Sequence, residues 1–173
     1  MQNWYKTAIN ITEVIQQIQQ VSPNDKIVMS NQKPPLNFTN SPSQKPGYKP
    51  SGLWYACGTA WLEFVNREFP SGFGKYIYKI QINPSAMCMI NNADKFEEFS
   101  NKYMVERGYI DWSKVALDYS GIEICPYFYE FRDSKHLWYY TWDIPSGCIW
   151  NQSAFMGADI IYDDVSPSSD NSM

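Results

Sequence analysis

Between Lys75 and Asn83 the chain alternates cleanly, with Tyr76, Tyr78, Ile80 and Ile82 on one side. A period of two is that of a β-strand. Such a strand needs partners for its backbone and a layer to cover its apolar side. Other segments supply both. Lys26–Ser30, Gly52–Cys57, Met87–Ile90 and Gly121–Ile124 read as short strands. Helical spacing of apolar residues occurs at Ile11, Val14, Ile15 and Ile18, predicting a helix from about Thr12 to Gln20. It recurs at Leu62 and Val65 in a helix from Ala60 to Phe69. A third set is Phe96, Phe99 and Tyr103, with Asn92 or Asp94 as cap. The last is Trp112, Val115, Ala116 and Tyr119, with Asp111 as cap. Tyr127–Phe131 is a further candidate strand. The order of elements predicts an α+β fold: one domain over residues 1–165, with a split, mostly antiparallel sheet flanked by helices.

Two segments stand apart. Residues 32–51 form a long loop rich in Pro, Ser, Asn and Lys, with three Lys-Pro steps that favour extended backbone. A loop of this length is either disordered or a lid over a ligand site. Residues 166–173 read as a disordered tail.

Aromatic residues make up 17% of the 173 residues, more than a core of this size buries easily, so some rings should line a groove. They concentrate in Leu137–Trp150. There Leu137–Asp143 and Cys148–Trp150 read as two strands about a Pro145-Ser146-Gly147 turn. Rings beside a lone acid suit a flat, cationic or sugar-linked ligand; they also suit a core strand. The net charge of −4 argues against a large basic surface for nucleic acid.

The residue inventory excludes much chemistry. His136 is the only histidine, and it sits in a charged turn where a surface position is expected. A multi-histidine metal centre is impossible. The four cysteines contain no C-x-x-C pair, so a zinc ribbon is not expected and the chain is read as metal-free, with reduced and mostly buried thiols. No phosphate-binding P-loop is present, and no G-x-G-x-x-G follows a strand. Met1–Lys6 lacks an apolar signal core and no run is long enough to span a bilayer, which predicts a cytoplasmic protein with no membrane partner. Carboxylate and aromatic chemistry remains. Glu123, between two isoleucines, is either an outward strand acid or an acid at a cleft floor that stabilises a sugar cation. Asp143 is either a turn-former or a second catalytic acid. Trp54 and Tyr55 point to opposite faces, one to the core and the other free to stack on a ligand.

The pieces Gly52-Leu53-Trp54-Tyr55, Gly121–Tyr127 and Trp142–Trp150 resemble small phage, viral and bacterial proteins, and their layout is similar to a minimal ADP-ribosyltransferase fold. That resemblance implies NAD as substrate and an unknown protein or nucleic acid as acceptor. It implies a first-strand polar role for Ser30 or Asn31, and stacking of Tyr55 on nicotinamide beside Trp54 and Trp142. Glu123, or failing it Asp143, would bond the ribose hydroxyl. The sequence departs from the family in lacking the first-strand His or Arg, the Ser-Thr-Ser after Leu53, and any Glu-x-Glu or Gln-x-Glu. Two other classes compete. One is a non-catalytic module whose groove of Trp54, Tyr55, Trp138, Tyr140 and Trp142 holds a nucleotide, sugar or peptide. The other is a viral or host interaction protein whose rings are simply core and interface.

Overall fold

A computed structural model describes residues 14, 16, 18, 20–41, 43–68 and 75–163. The strands are β1 (Lys26–Ser30), β2 (Leu53–Cys57), β3 (Tyr76–Ile82), β4 (Met87–Ile90), β5 (Gly121–Ile124), β6 (Ser146–Ile149) and β7 (Phe155–Asp163). The helices are α1 (Ala60–Glu68), α2 (Ala93–Tyr103), α3 (Trp112–Asp118) and the single turn α4 (Tyr129–Arg132). All seven strands join one open sheet in the order β4-β5-β6-β2-β1-β3-β7, so the expected α+β domain is present but its sheet is not split. Only β4 and β5 run parallel; the other pairs are antiparallel. The helix expected over Thr12–Gln20 falls mostly outside the described residues, as does the tail.

The two faces of the sheet are covered differently. On one, Val28, Tyr55, Tyr76, Tyr78, Ile80, Met87 and Ile149 pack with Leu36 and Phe38 of the long loop. On the other lie α1, α2 and α3. Phe96, Phe99 and Tyr103 of α2 pack with Trp112 and Val115 of α3 over Ile90, Ile122, Ile124 and Cys148. Leu62 of α1 packs separately with Val14, Ile18, Ile27 and Ile77. We call these the loop face and the helix face. Because side chains alternate along a strand, Tyr55 belongs to the first and Trp54 to the second.

Local chemistry explains the ends of several elements. The Asn92 side chain accepts the Lys95 N–H at 2.9 Å and starts α2. Among its described residues, segment 32–51 contains no strand or helix, yet it is fastened. Gln44 is buried and exchanges two hydrogen bonds with the backbone of Ser51, at 2.7 and 2.9 Å. Gly47 forms a bridge with Ile110.

Four expectations are corrected. Leu137–Thr141 is a 3-10 helix, not a strand. Trp138, Tyr139 and Trp142 are buried while Leu137 and Tyr140 are exposed, which is not the alternation of a pleated strand. Ser146 and Gly147 belong to β6 rather than to a turn. Tyr127–Phe131 is not extended; it leads into α4. His136 is buried, not on the surface, edge-on to Phe96 and Phe131 with Nε2 3.2 Å from the Glu97 carboxylate. Strand β7 was not expected from the sequence at all.

Candidate functional site

Glu123 is the centre of a polar cluster on the loop face. Register places Tyr55, Gly147 and Glu123 in one row across β2, β6 and β5. Residues in such a row point the same way. The middle position has no side chain, so the Tyr55 ring lies across it and donates from its hydroxyl to Glu123 Oε2 at 2.6 Å. Glycine is required there: a Cβ on Gly147 would stand 2.3 Å from Tyr55 Cζ. From the start of β1, Lys26 Nζ donates to Glu123 Oε1 at 2.8 Å.

Glu123 is therefore neither of the two things its sequence position suggested. It does not face water, being only 5% exposed. Nor is it a free acid at a cleft floor, because both oxygens are engaged and its charge is matched by an ammonium. Tyr55 responds to the same surroundings. Burial first, then the Glu123 charge and hydrogen bond, push its phenol well above the usual range. Two thiols complete the cluster, Cys57 at the end of β2 and Cys125 just past β5. Their sulfurs and a Glu123 oxygen all lie within 4.8 Å of one another. The neighbouring Cys57 thiol lowers Cys125, against burial that would raise it; Cys57 itself is pushed up, first by Cys125 and then by burial.

The aromatic site is elsewhere. A cavity of about 300 Å³ opens on the helix face, between the block of α2 and α3 and that of α1. Its floor is Ile27 and Met29 of β1, Trp54, Tyr55 and Ala56 of β2, and Ser146 of β6. Trp61 of α1 forms one wall, and the segment Trp142–Ile144 forms another. Trp54 and Trp142 meet edge to face with centroids 5.0 Å apart. The ammonium of Lys49, carried on the long loop, lies 5.4 Å from the Trp54 ring centroid. Burial lowers its pKa, opposed by the charge of Asp143. Asp143 also pairs with Arg132 at 3.3 Å, both side chains being more than a third exposed.

The expected site residues thus divide into three groups. Tyr55 and Glu123 meet. Trp54, Trp142 and Asp143 also meet, but around a cavity on the opposite face. Ser30 and Asn31 join neither cluster. They lie at the far end of β1 from Lys26, about 13 Å away at strand rise. Ser30 accepts the Gln32 N–H and Asn31 accepts the Lys75 N–H. The supposed groove also loses two members. Trp138 is fully buried, donating to Ser100 Oγ at 3.2 Å, and Tyr140 is exposed beside Arg132. Sequence reasoning did not select Lys26, Lys49, Trp61, Gly147, Cys57 or Cys125 as site residues. The first four depend on pairings between distant segments and left no local signal. The cysteines left a faint one: Cys57 follows Tyr55 by two within β2 and so shares its face, and Cys125 follows Glu123 by two just past the end of β5.

Among the described residues no helix is long and apolar enough to cross a membrane. Comparisons with protein-family models, with curated proteins and with solved structures give no match to this chain.

Proposed function

We propose that this protein binds a small, flat, ring-bearing ligand in the cavity between Trp54, Trp61 and Trp142. The carrying observation is that these three indoles, one ammonium (Lys49) and one carboxylate (Asp143) line a single opening of about 300 Å³. That volume sits at the low end of small-molecule sites, roughly 300–1,000 Å³. It suits a ring with its attached sugar better than a whole dinucleotide. Indole faces favour a planar or cationic ring, and the carboxylate favours a hydroxyl or positive charge beside it.

The nicotinamide–ribose half of NAD has these properties, which keeps an ADP-ribosyltransferase-like reaction as a second reading. In it the carboxylate is Asp143, because Glu123 opens to the other face. Asp143 would accept a ribose hydroxyl and steady positive charge as the C1′–N bond breaks. Nicotinamide would leave with the bonding pair, an acceptor oxygen or nitrogen would bond C1′, and its proton would pass to solvent.

Thermal melting with NAD, nicotinamide riboside and nicotinamide, followed by assay of nicotinamide release, tests both. At a hundredfold excess over Kd a ligand adds about 2.7 kcal/mol, or roughly 5–10 °C for a chain of this size. Trp61→Ala should abolish that shift. Release of nicotinamide by the parent and not by Asp143→Asn supports transfer. A shift without release leaves binding alone, and no shift with any of the three refutes the nicotinamide assignment.

A further inference from the structure

The cluster on the loop face has a composition that its present contacts do not use. Two thiols and a carboxylate, contributed by β2, by β5 and by the residue just past β5, bring their donor atoms within 4.8 Å of one another. A disulfide is the first alternative. Strand β6 runs between β2 and β5, and the Cys57 N–H bonds to the carbonyl of Pro145, at the start of that intervening strand. Two strand spacings separate the backbones by about 9–10 Å. Cysteines more than about 7 Å apart at Cα do not bridge without backbone movement. A metal ion spans what a disulfide does not. With metal–sulfur bonds of about 2.3 Å in tetrahedral geometry, the two sulfurs stand roughly 3.8 Å apart.

Two further observations fit. Tyr55 holds Glu123 through Oε2, as an outer partner orients a metal-binding carboxylate, and its own hydroxyl leaves Oε1 to other partners. Oε1 already holds a cation, the Lys26 ammonium at 2.8 Å. We propose that Cys57, Glu123 and Cys125 form a binding site for a zinc-like divalent ion, with the Lys26 ammonium standing where the ion would bind and swinging aside when it does. Two thiolates favour a borderline-soft metal over magnesium or calcium. Loading releases both thiol protons to solvent. The resulting charge of the ion and its three ligands is −1, and the displaced ammonium beside it restores neutrality. A water completes four-coordination.

The test is titration of the reduced full-length chain with Co²⁺ under anaerobic conditions, then with Zn²⁺. One equivalent of Co²⁺ should produce a thiolate-to-cobalt absorption band that Zn²⁺ bleaches. Cys57→Ser and Cys125→Ser should each weaken binding at least tenfold, while Cys88→Ser leaves it unchanged. Lys26→Gln, which removes the competing cation, should tighten it. In the unmutated protein Zn²⁺ should slow alkylation of Cys125, a readout that stands even if a serine variant fails to fold. Absence of the band, its persistence in folded Cys57→Ser and Cys125→Ser, or no protection of Cys125 would overturn the site. So would ready formation of a Cys57–Cys125 disulfide in the folded protein.

Discussion

Gly147→Ala should be among the most damaging single-methyl changes in this protein. The backbone at Gly147 is not left-handed, so alanine meets no torsional penalty, and its smaller unfolded-state entropy would by itself stabilise by about 0.4–1 kcal/mol. Sterics reverse the sign. The new Cβ would lie 2.3 Å from Tyr55 Cζ, 2.4 Å from its hydroxyl and 2.8 Å from the Ile122 carbonyl oxygen. The phenol must lift, yet it is only 3% exposed and packed among the loop-face core. Overpacking of this kind costs about 1–3 kcal/mol. Lifting the ring also breaks its bond to the Glu123 carboxylate, about 1.5–3 kcal/mol for a bond to a charged group. The expected net loss is roughly 2–5 kcal/mol, a fall of about 4–20 °C in Tm at 2–4 °C per kcal/mol. Urea unfolding followed by tryptophan fluorescence would measure it. The companion is a double-mutant cycle with Tyr55→Ala. With the ring gone only the Ile122 carbonyl remains close, so Gly147→Ala should cost much less there, a coupling of at least about 1 kcal/mol. Additive losses, or a single-mutant loss under 1 kcal/mol, would refute the view that Gly147 exists to clear a path for Tyr55.

Ser100→Ala should cost about 1–3 kcal/mol by urea unfolding, since Ser100 is fully buried and its loss strands the Trp138 N–H; a neutral result would show that the indole finds another acceptor. Stability should also fall on the acid side. Asp25 is lowered despite its burial by the hydrogen bond and charge of Lys79 and by the Ser22 N–H, Asp111 first by the Ser113 hydroxyl, and Asp118 first by the Tyr103 hydroxyl and then Lys102. A depressed carboxylate contributes stability that is complete above its unfolded value, near 3.8, and lost as pH falls through the lower folded value. Urea midpoints at intervals from pH 6 to pH 2 should therefore drop below about pH 4, and Lys79→Met should shrink the drop.

Where apolar residues recur with a regular period, the sequence was readable. The strand Tyr76–Ile82 and the helix Ala93–Tyr103 show their inward residues at intervals of two and of three to four, and both are present. The aromatic segment was misread because Trp and Tyr favour strands in general, whereas their spacing here is set by packing. Trp138 and Trp142 reach the core on a tight 3-10 turn that sends Tyr140 outward. β7 went unseen for the opposite reason. As an edge strand it is half-exposed, carries Asp159 and Asp163, and pairs with β3 through two register breaks, one beside Gly157, so no clean alternation survives. Of the residues singled out for the candidate site, Tyr55 meets Glu123 and Trp54 meets Trp142 and Asp143, but not in the one pocket that was expected. Their separation onto opposite faces turns on a one-residue offset between Trp54 and Tyr55, together with a strand order that no local pattern encodes.

That strand order has a consequence for assembly. β6, four buried residues from late in the chain, is wedged between β2 and β5 and is the sole strand bonded to both. Until Ser146–Ile149 has been synthesised, the ladder β2-β1-β3 and the pair β4-β5 are unjoined halves, each with an open edge. The keystone of the arch is laid after nearly all of its stones, so the growing polypeptide must keep two sticky rims apart from the completion of β5 until β6 follows it.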